Sequence, residues 1–184
     1  MSSAGDARKR GDGLEGRPIE QVLREDRLRH VICDRVATVE QGTSLRDALD
    51  LLRDPASRGA VVVVRSPGDG SGGSRGAEVV GIFTERDYLD KIARNGAACD
   101  GPIDDLMTAD PQVLSPDETI DVAIRWMTRG GYRHLPVVDA EGRLVGLVST
   151  THIVQYLAEF FPVEVYNLPP RLHQDRAINT REGG

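Results

Sequence analysis

Gly81-Ile82-Phe83-Thr84-Glu85-Arg86-Asp87 reads as a strand running straight into a helix. Val79, Val80, Ile82 and Phe83 are β-branched or aromatic strand formers. Thr84 suits a helix N-cap, and Asp87, three residues on, completes a capping box. Tyr88, Leu89 and Ile92 carry the helix forward to Asn95-Gly96, a C-terminal stop signal. The polar residues of this turn have two readings. In one, Thr84 and Asp87 close a helix end and do nothing more. In the other, free N–H groups, a hydroxyl and a carboxylate at a helix start hold a phosphate and grip a sugar hydroxyl.

The stretch recurs. Leu144-Val145-Gly146-Leu147-Val148-Ser149-Thr150-Thr151-His152 is again a strand, a cap and an apolar helix, which continues through Ile153, Val154, Leu157 and Phe160 to Phe161. Gly146 matches Gly81, Ser149 matches Thr84 and His152 matches Asp87. Such a repeat has to be settled before any other feature of the fold.

Outward from these two anchors, each half has the same further parts. Thr43-Ser44 starts a helix whose Leu45, Ala48, Leu49 and Leu52 fall at i, i+3, i+4 and i+7, ended by Asp54-Pro55. Glu118 to Arg129 is its counterpart, with Ile120, Ala123, Ile124 and Met127 on one stripe and Gly130-Gly131 as the stop. Ala60 to Val64 is too apolar for a half-exposed strand and predicts a central one. Leu135-Pro136-Val137-Val138 is its partner in the second half, where the proline predicts an edge or a bulge. Leu45 and Ile120 are 75 residues apart, whereas Gly81 and Gly146 are 65 apart. The difference is absorbed by the Gly/Ser stretch 66–76, an insertion suited to a hairpin tip. Its glycines make no phosphate loop, because no Gly-Lys-[Ser/Thr] follows.

The flanks are simpler. Residues 1–17 hold almost nothing to bury and predict disorder. Pro18 suits the first turn of a short helix carrying Ile19, Val22 and Leu23, and His30 to Val39 alternates as if extended. The first unit spans 18–96 and the second 101–161, joined between Gly96 and Gly101, with an extended tail over 162–184 that includes Asn167-Leu168-Pro169-Pro170.

Composition bounds the function. The chain has 184 residues and a net charge of −6, which gives no electrostatic footprint for nucleic acid. Cys33 and Cys99 show neither metal-ligand spacing nor a disulfide scaffold, so a cytoplasmic setting is expected. No apolar run approaches the ~20 residues of a membrane helix, and no signal peptide is visible.

A tandem pair of β-α-β-β-α units, each closing on Gly-hydrophobic-x-[Ser/Thr]-x-x-[Asp/Asn], resembles the cystathionine-β-synthase (CBS) domain family over about Val31 to Phe161. The resemblance implies an α+β module of two repeats packed about a pseudo-two-fold axis, with two clefts between them. It implies a sensor without catalytic residues, binding AMP, ADP, ATP or S-adenosylmethionine and using no other cofactor or metal. On this chain Thr84 would meet a phosphate and Asp87 the ribose, whose two vicinal hydroxyls an ionised carboxylate accepts at once. Adenine would lie along Ala60 to Val62 and Ile82, and Arg133 and His134 would supply phosphate donors or stand as solvated polar residues. His152 departs from the pattern. A neutral imidazole has one acceptor nitrogen, so the cleft of Ser149 and His152 is expected to be the weaker, or His152 is just a first-turn helix residue.

The family also implies dimers. Val122 and Trp126 share a helix face away from the buried stripe, Leu51 matches Trp126 in the first half, and Tyr88, Tyr156 and Phe160 widen that face into a candidate homodimer surface. Two functions stay open at this level: a stand-alone adenine-nucleotide sensor acting on a separate effector, and a scaffold that dimerises without a physiological ligand. An enzyme is disfavoured because no nucleophile–base pair can be placed.

Overall fold

The computed structural model describes residues 17–66, 76–96 and 101–161. Of the expected disordered segment 1–17 all but Arg17, together with most of the Gly/Ser loop, the link at 97–100 and the tail 162–184, lies outside the described residues; Arg17 itself is placed, pairing with Glu25 and Asp26.

A short helix α1 (Ile19–Glu25) leads into the first repeat. That repeat runs β1 (Thr38–Glu40), α2 (Leu45–Arg53), β2 (Ala60–Arg65), β3 (Glu78–Thr84) and α3 (Glu85–Asp87). A π-wound segment, Tyr88–Arg94, continues α3 to the stop at Asn95-Gly96. The second repeat follows with β4 (Thr108–Ala109), α4 (Ile120–Gly130), β5 (His134–Val138), β6 (Leu144–Ser149) and α5 (Thr150–Phe160). This is the α+β pair of repeats that the spacing predicts.

The duplication extends to single hydrogen-bonding positions. β2 pairs antiparallel with β3, and the register slips between Val63 and Val64, leaving out Val80. β5 pairs with β6, and the register slips between Val137 and Val138, leaving out Val145. The two bulges occupy matching positions, and Pro136 stands just ahead of the second, as a strand proline should. β1 lies parallel to β2, while its counterpart has shrunk to one bridge between Leu114 and Val137.

Each repeat pairs with a leading segment of the other, through the strand β4 on one side and through a single bridge on the other. β4 pairs with Gly81 and Ile82 of β3, and Cys33 pairs with Leu147 of β6. This crossing explains both motif glycines. A Cβ on Gly81 would collide with the Met107 thioether, and one on Gly146 would sit 2.9 Å from the Cys33 carbonyl oxygen. Glu78 bridges Arg143 where the two sheets meet.

Burial follows the same logic. Val61 and Val63 face α2 with Leu45, Ala48 and Leu52, whereas Ala60, Val62 and Val64 face the seam against Leu144 and Leu147. A strand covered on both sides needs apolar residues at every position, hence the valine run. The second core gathers Ile120, Ala123 and Met127 of α4 with Leu135, Val137 and Val148.

Local expectations for the entry to the first repeat need correction. Pro18 sits just before α1, as its N-cap. His30 to Val39 is not one extended run: Leu28–His30 is a 3₁₀ turn and only Thr38–Glu40 forms strand. Leu28 and Val31 are pulled into the second repeat's core, so the apolar alternation there reflects a crossing between repeats. No helix among the described residues is long and apolar enough to cross a membrane.

Candidate functional site

The Thr84 turn closes a full capping box. Thr84 Oγ1 accepts from the Asp87 N–H at 3.3 Å, and Asp87 Oδ2 accepts from the Thr84 N–H at 3.0 Å and from Thr84 Oγ1 at 2.7 Å. The other carboxylate oxygen is occupied too. Asp87 Oδ1 receives the Lys91 ammonium at 2.9 Å and the Thr108 hydroxyl at 3.3 Å. Lys91 Nζ also donates to the Leu106 carbonyl at 2.6 Å. Four donors therefore fill the roughly four lone-pair positions of one carboxylate.

This turn lies at a cleft of about 370 Å³ between the repeats. The first repeat contributes Ile82, Thr84, Arg86 and Asp87, and the second contributes Thr108, Gln112, Tyr132, Arg133 and His134. Of the residues proposed for the nucleotide, Thr84, Asp87, Ile82, Arg133 and His134 are thus brought together. Ala60 and Val62 are not among its walls; both are fully buried in the seam, where their side chains already contact the other repeat.

His134 is placed at the cleft but is already engaged. Its Nε2 lies 3.0 Å from the Arg58 carbonyl oxygen, which assigns the ring proton to Nε2. Burial lowers its pKa below the usual histidine value, opposed by the Arg58 carbonyl and by Glu85. At neutral pH the ring is uncharged, and Nδ1 offers an acceptor rather than a phosphate donor. The exposed Arg133 and Arg86 are the cationic donors left, although Arg86 spends part of its guanidinium on the Gly131 carbonyl at 3.3 Å.

The second turn has the same backbone and different chemistry. Ser149 Oγ accepts from the His152 N–H at 3.2 Å, and no capping box is closed. His152 is 7% exposed, and neither ring nitrogen has a hydrogen-bond partner. Burial lowers its pKa, helped by the nearby Arg58 guanidinium and His134, while the Leu147 carbonyl works the other way. Arg58 holds left-handed backbone at φ +53° and reaches Gln155 of α5 at 3.2 Å.

Lys91, Thr108, Arg86 and Tyr132 were not singled out from sequence. Lys91 lies four residues after Asp87 on one helix face, a spacing that marks an ion pair. Thr108 stands 75 residues after Cys33, the matching position of the first repeat, and its approach to Asp87 depends on the pairing of β4 with β3. On the candidate dimer face, Leu51, Tyr88 and Trp126 are 38%, 38% and 41% exposed. Val122 and Tyr156 instead pack on the second core, Tyr156 also donating to Asp26 at 2.8 Å and meeting Phe160 edge-on. No cluster of metal-ligating side chains occurs among the described residues.

Comparison with known proteins gives one consistent result. The CBS domain family profile matches residues 28–94 and 103–159. An uncharacterized protein of Methanocaldococcus jannaschii is 31% identical over 71% of this chain, which spans 42% of that relative. The crystal structure of a CBS-domain containing protein from Agrobacterium tumefaciens is 31% identical, with a TM-score of 0.57 over 71% of this chain and 98% of that one. The structure of CBSX2 in complex with AMP is 25% identical, with a TM-score of 0.57 over 72% of this chain and 96% of that one.

Proposed function

The chain belongs to the CBS-domain family as a tandem pair, and from this premise we propose that it is a regulatory module that binds an adenine nucleotide in the cleft of Thr84 and Asp87. The observation that carries the reading is the meeting of Thr84, Asp87 and Arg133 from opposite repeats at one cleft of about 370 Å³. The Asp87 carboxylate and the Arg133 guanidinium around that space match ribose and phosphate, and the Thr84 hydroxyl, which donates to Asp87, holds that carboxylate in place. Ile82, Tyr132 and Leu135 supply apolar surface for a base, and Arg133 takes the phosphate fork, with Arg86 as a second cation. CBSX2, a structural neighbour, is described in complex with AMP.

The sites are unequal in this reading. The second capping turn presents a buried neutral imidazole where the first presents a carboxylate, so one ligand per chain is expected to bind tightly, at the first cleft. The module has a regulatory rather than catalytic role, in the cytoplasm, and its ligand state is read by a separate effector protein. Leu51, Tyr88 and Trp126 form the exposed part of a homodimer face. Trp126→Glu is expected to shift the protein toward monomer in sedimentation, and an unshifted profile places the interface elsewhere.

A scaffold without a physiological ligand is the second reading. The observation in its favour is that Asp87 is already saturated by its own chain. Thermal unfolding with AMP, ADP, ATP and S-adenosylmethionine separates the two. A ligand at a hundredfold its Kd stabilises by about 2.7 kcal/mol, a shift readily seen. A shift for one compound supports the sensor, and no shift for any supports the scaffold.

A further inference from the structure

We propose that Lys91 is a competing cation that sets the affinity of the first cleft, and that a ribose diol enters by displacing its ammonium from Asp87. The inference rests on the nucleotide reading of this cleft and adds a determinant to it. Asp87 Oδ2 is committed to the Thr84 N–H and hydroxyl, the bonds that hold the turn itself. A ligand must therefore use Oδ1, which now carries Lys91 at 2.9 Å and Thr108 at 3.3 Å. The Thr108 hydroxyl is the longer, neutral contact and leaves by a rotation. The ammonium is the shorter, charge-assisted one, and two diol donors need both positions on Oδ1.

The displaced ammonium has somewhere to go. Lys91 Nζ keeps its 2.6 Å bond to the Leu106 carbonyl, and the side chain is 35% exposed, so the remaining N–H groups reach water. The second repeat has no such competitor. The position matching Lys91 there is Tyr156, whose hydroxyl is bound to Asp26 and not to His152. The helices differ in the same place. Tyr88–Arg94, which carries Lys91, is π-wound, whereas α5 is regular α-helix throughout. π-turns within helices are frequent at functional positions. Exchange at Asp87 thus acts on the segment that also presents the exposed Tyr88 and Leu89.

The test is calorimetric titration of AMP into the native protein, Lys91→Met and Lys91→Arg. Removing an ion pair of this exposure should tighten AMP by about two- to fivefold in Lys91→Met. Lys91→Arg, which restores a cation, should return toward the native affinity. Equal or weaker binding by Lys91→Met overturns the competitor role and leaves the nucleotide reading standing. AMP binding by Lys91→Met alone supports the competitor in its strongest form, and no AMP binding by either protein overturns the competitor role, while the nucleotide reading is decided by the thermal panel with ADP, ATP and S-adenosylmethionine. A second readout is direct, because Lys9 and Lys91 are the only lysines. In protein labelled with ¹⁵N-lysine, the Lys91 side-chain nitrogen signal should move when AMP is added to a protein that binds it, and a stationary signal overturns displacement.

Discussion

The two capping turns share a backbone and differ in what they do with it. Thr84 has φ −125° and ψ 166°, and Ser149 has φ −129° and ψ 163°. Both accept from the N–H three residues on. At the third position, however, Asp87 draws in four donors, whereas His152 is buried with two nitrogens that meet none. Duplication therefore copies geometry through strands, bulges and glycines, and the chemistry is set afterwards by one side chain. The neighbours then respond: a carboxylate recruits Lys91 and Thr108, and an imidazole beside Arg58 stays neutral.

The largest expected effect probes the two third positions against each other. Asp87→Ala should weaken nucleotide binding by roughly ten- to a hundredfold, the ~1.5–3 kcal/mol of a charge-assisted hydrogen bond. His152→Ala should leave the tight site nearly unchanged. Titrations with equal losses in both variants, or two equal sites in the native protein, contradict the asymmetry.

A structural comparison comes next. Gly146→Ala should destabilise by ~1–3 kcal/mol, because its new Cβ meets the backbone oxygen of Cys33. Gly81→Ala should cost less, since the obstacle is the flexible Met107 side chain. Urea denaturation orders the two, and a reversed order means that the strand crossing at Gly146 can shift.

The smallest effect concerns pH. His152 is held neutral by the fold, with a pKa below its unfolded value. Its contribution is therefore present above the unfolded pKa, near 6.5, and is lost as pH falls through the lower folded value. His134 shifts in the same direction and adds to the slope. His152→Leu removes two unpartnered nitrogens and should stabilise by ~1 kcal/mol at neutral pH. The gain should grow below pH 6, and a gain that is flat with pH would show that His152 does not titrate on unfolding.

Much of this architecture was legible in the chain because it rests on local rules. Helical stripes at Leu45, Ala48 and Leu52 and at Ile120, Ala123 and Met127 bury as their spacing predicts. Both N-caps, the Gly131 stop and the valine run of β2 also stand where the pattern puts them. The pairing of Thr84 with Asp87 is local too, three residues apart, and so is its ion pair with Lys91.

Tertiary structure decided what depends on the other repeat. Only the crossing of each leading segment into its neighbour explains why Val31 leaves the extended run for the second core, and why a side chain at Gly81 or Gly146 meets the other repeat. It also set Ala60 and Val62 in the seam rather than at the cleft, and turned His134 toward the Arg58 carbonyl, 76 residues away. A sequence pattern records which face of an element is apolar. It does not record which partner covers that face, or which distant donor reaches a polar atom first, and at this cleft those two choices determine the chemistry.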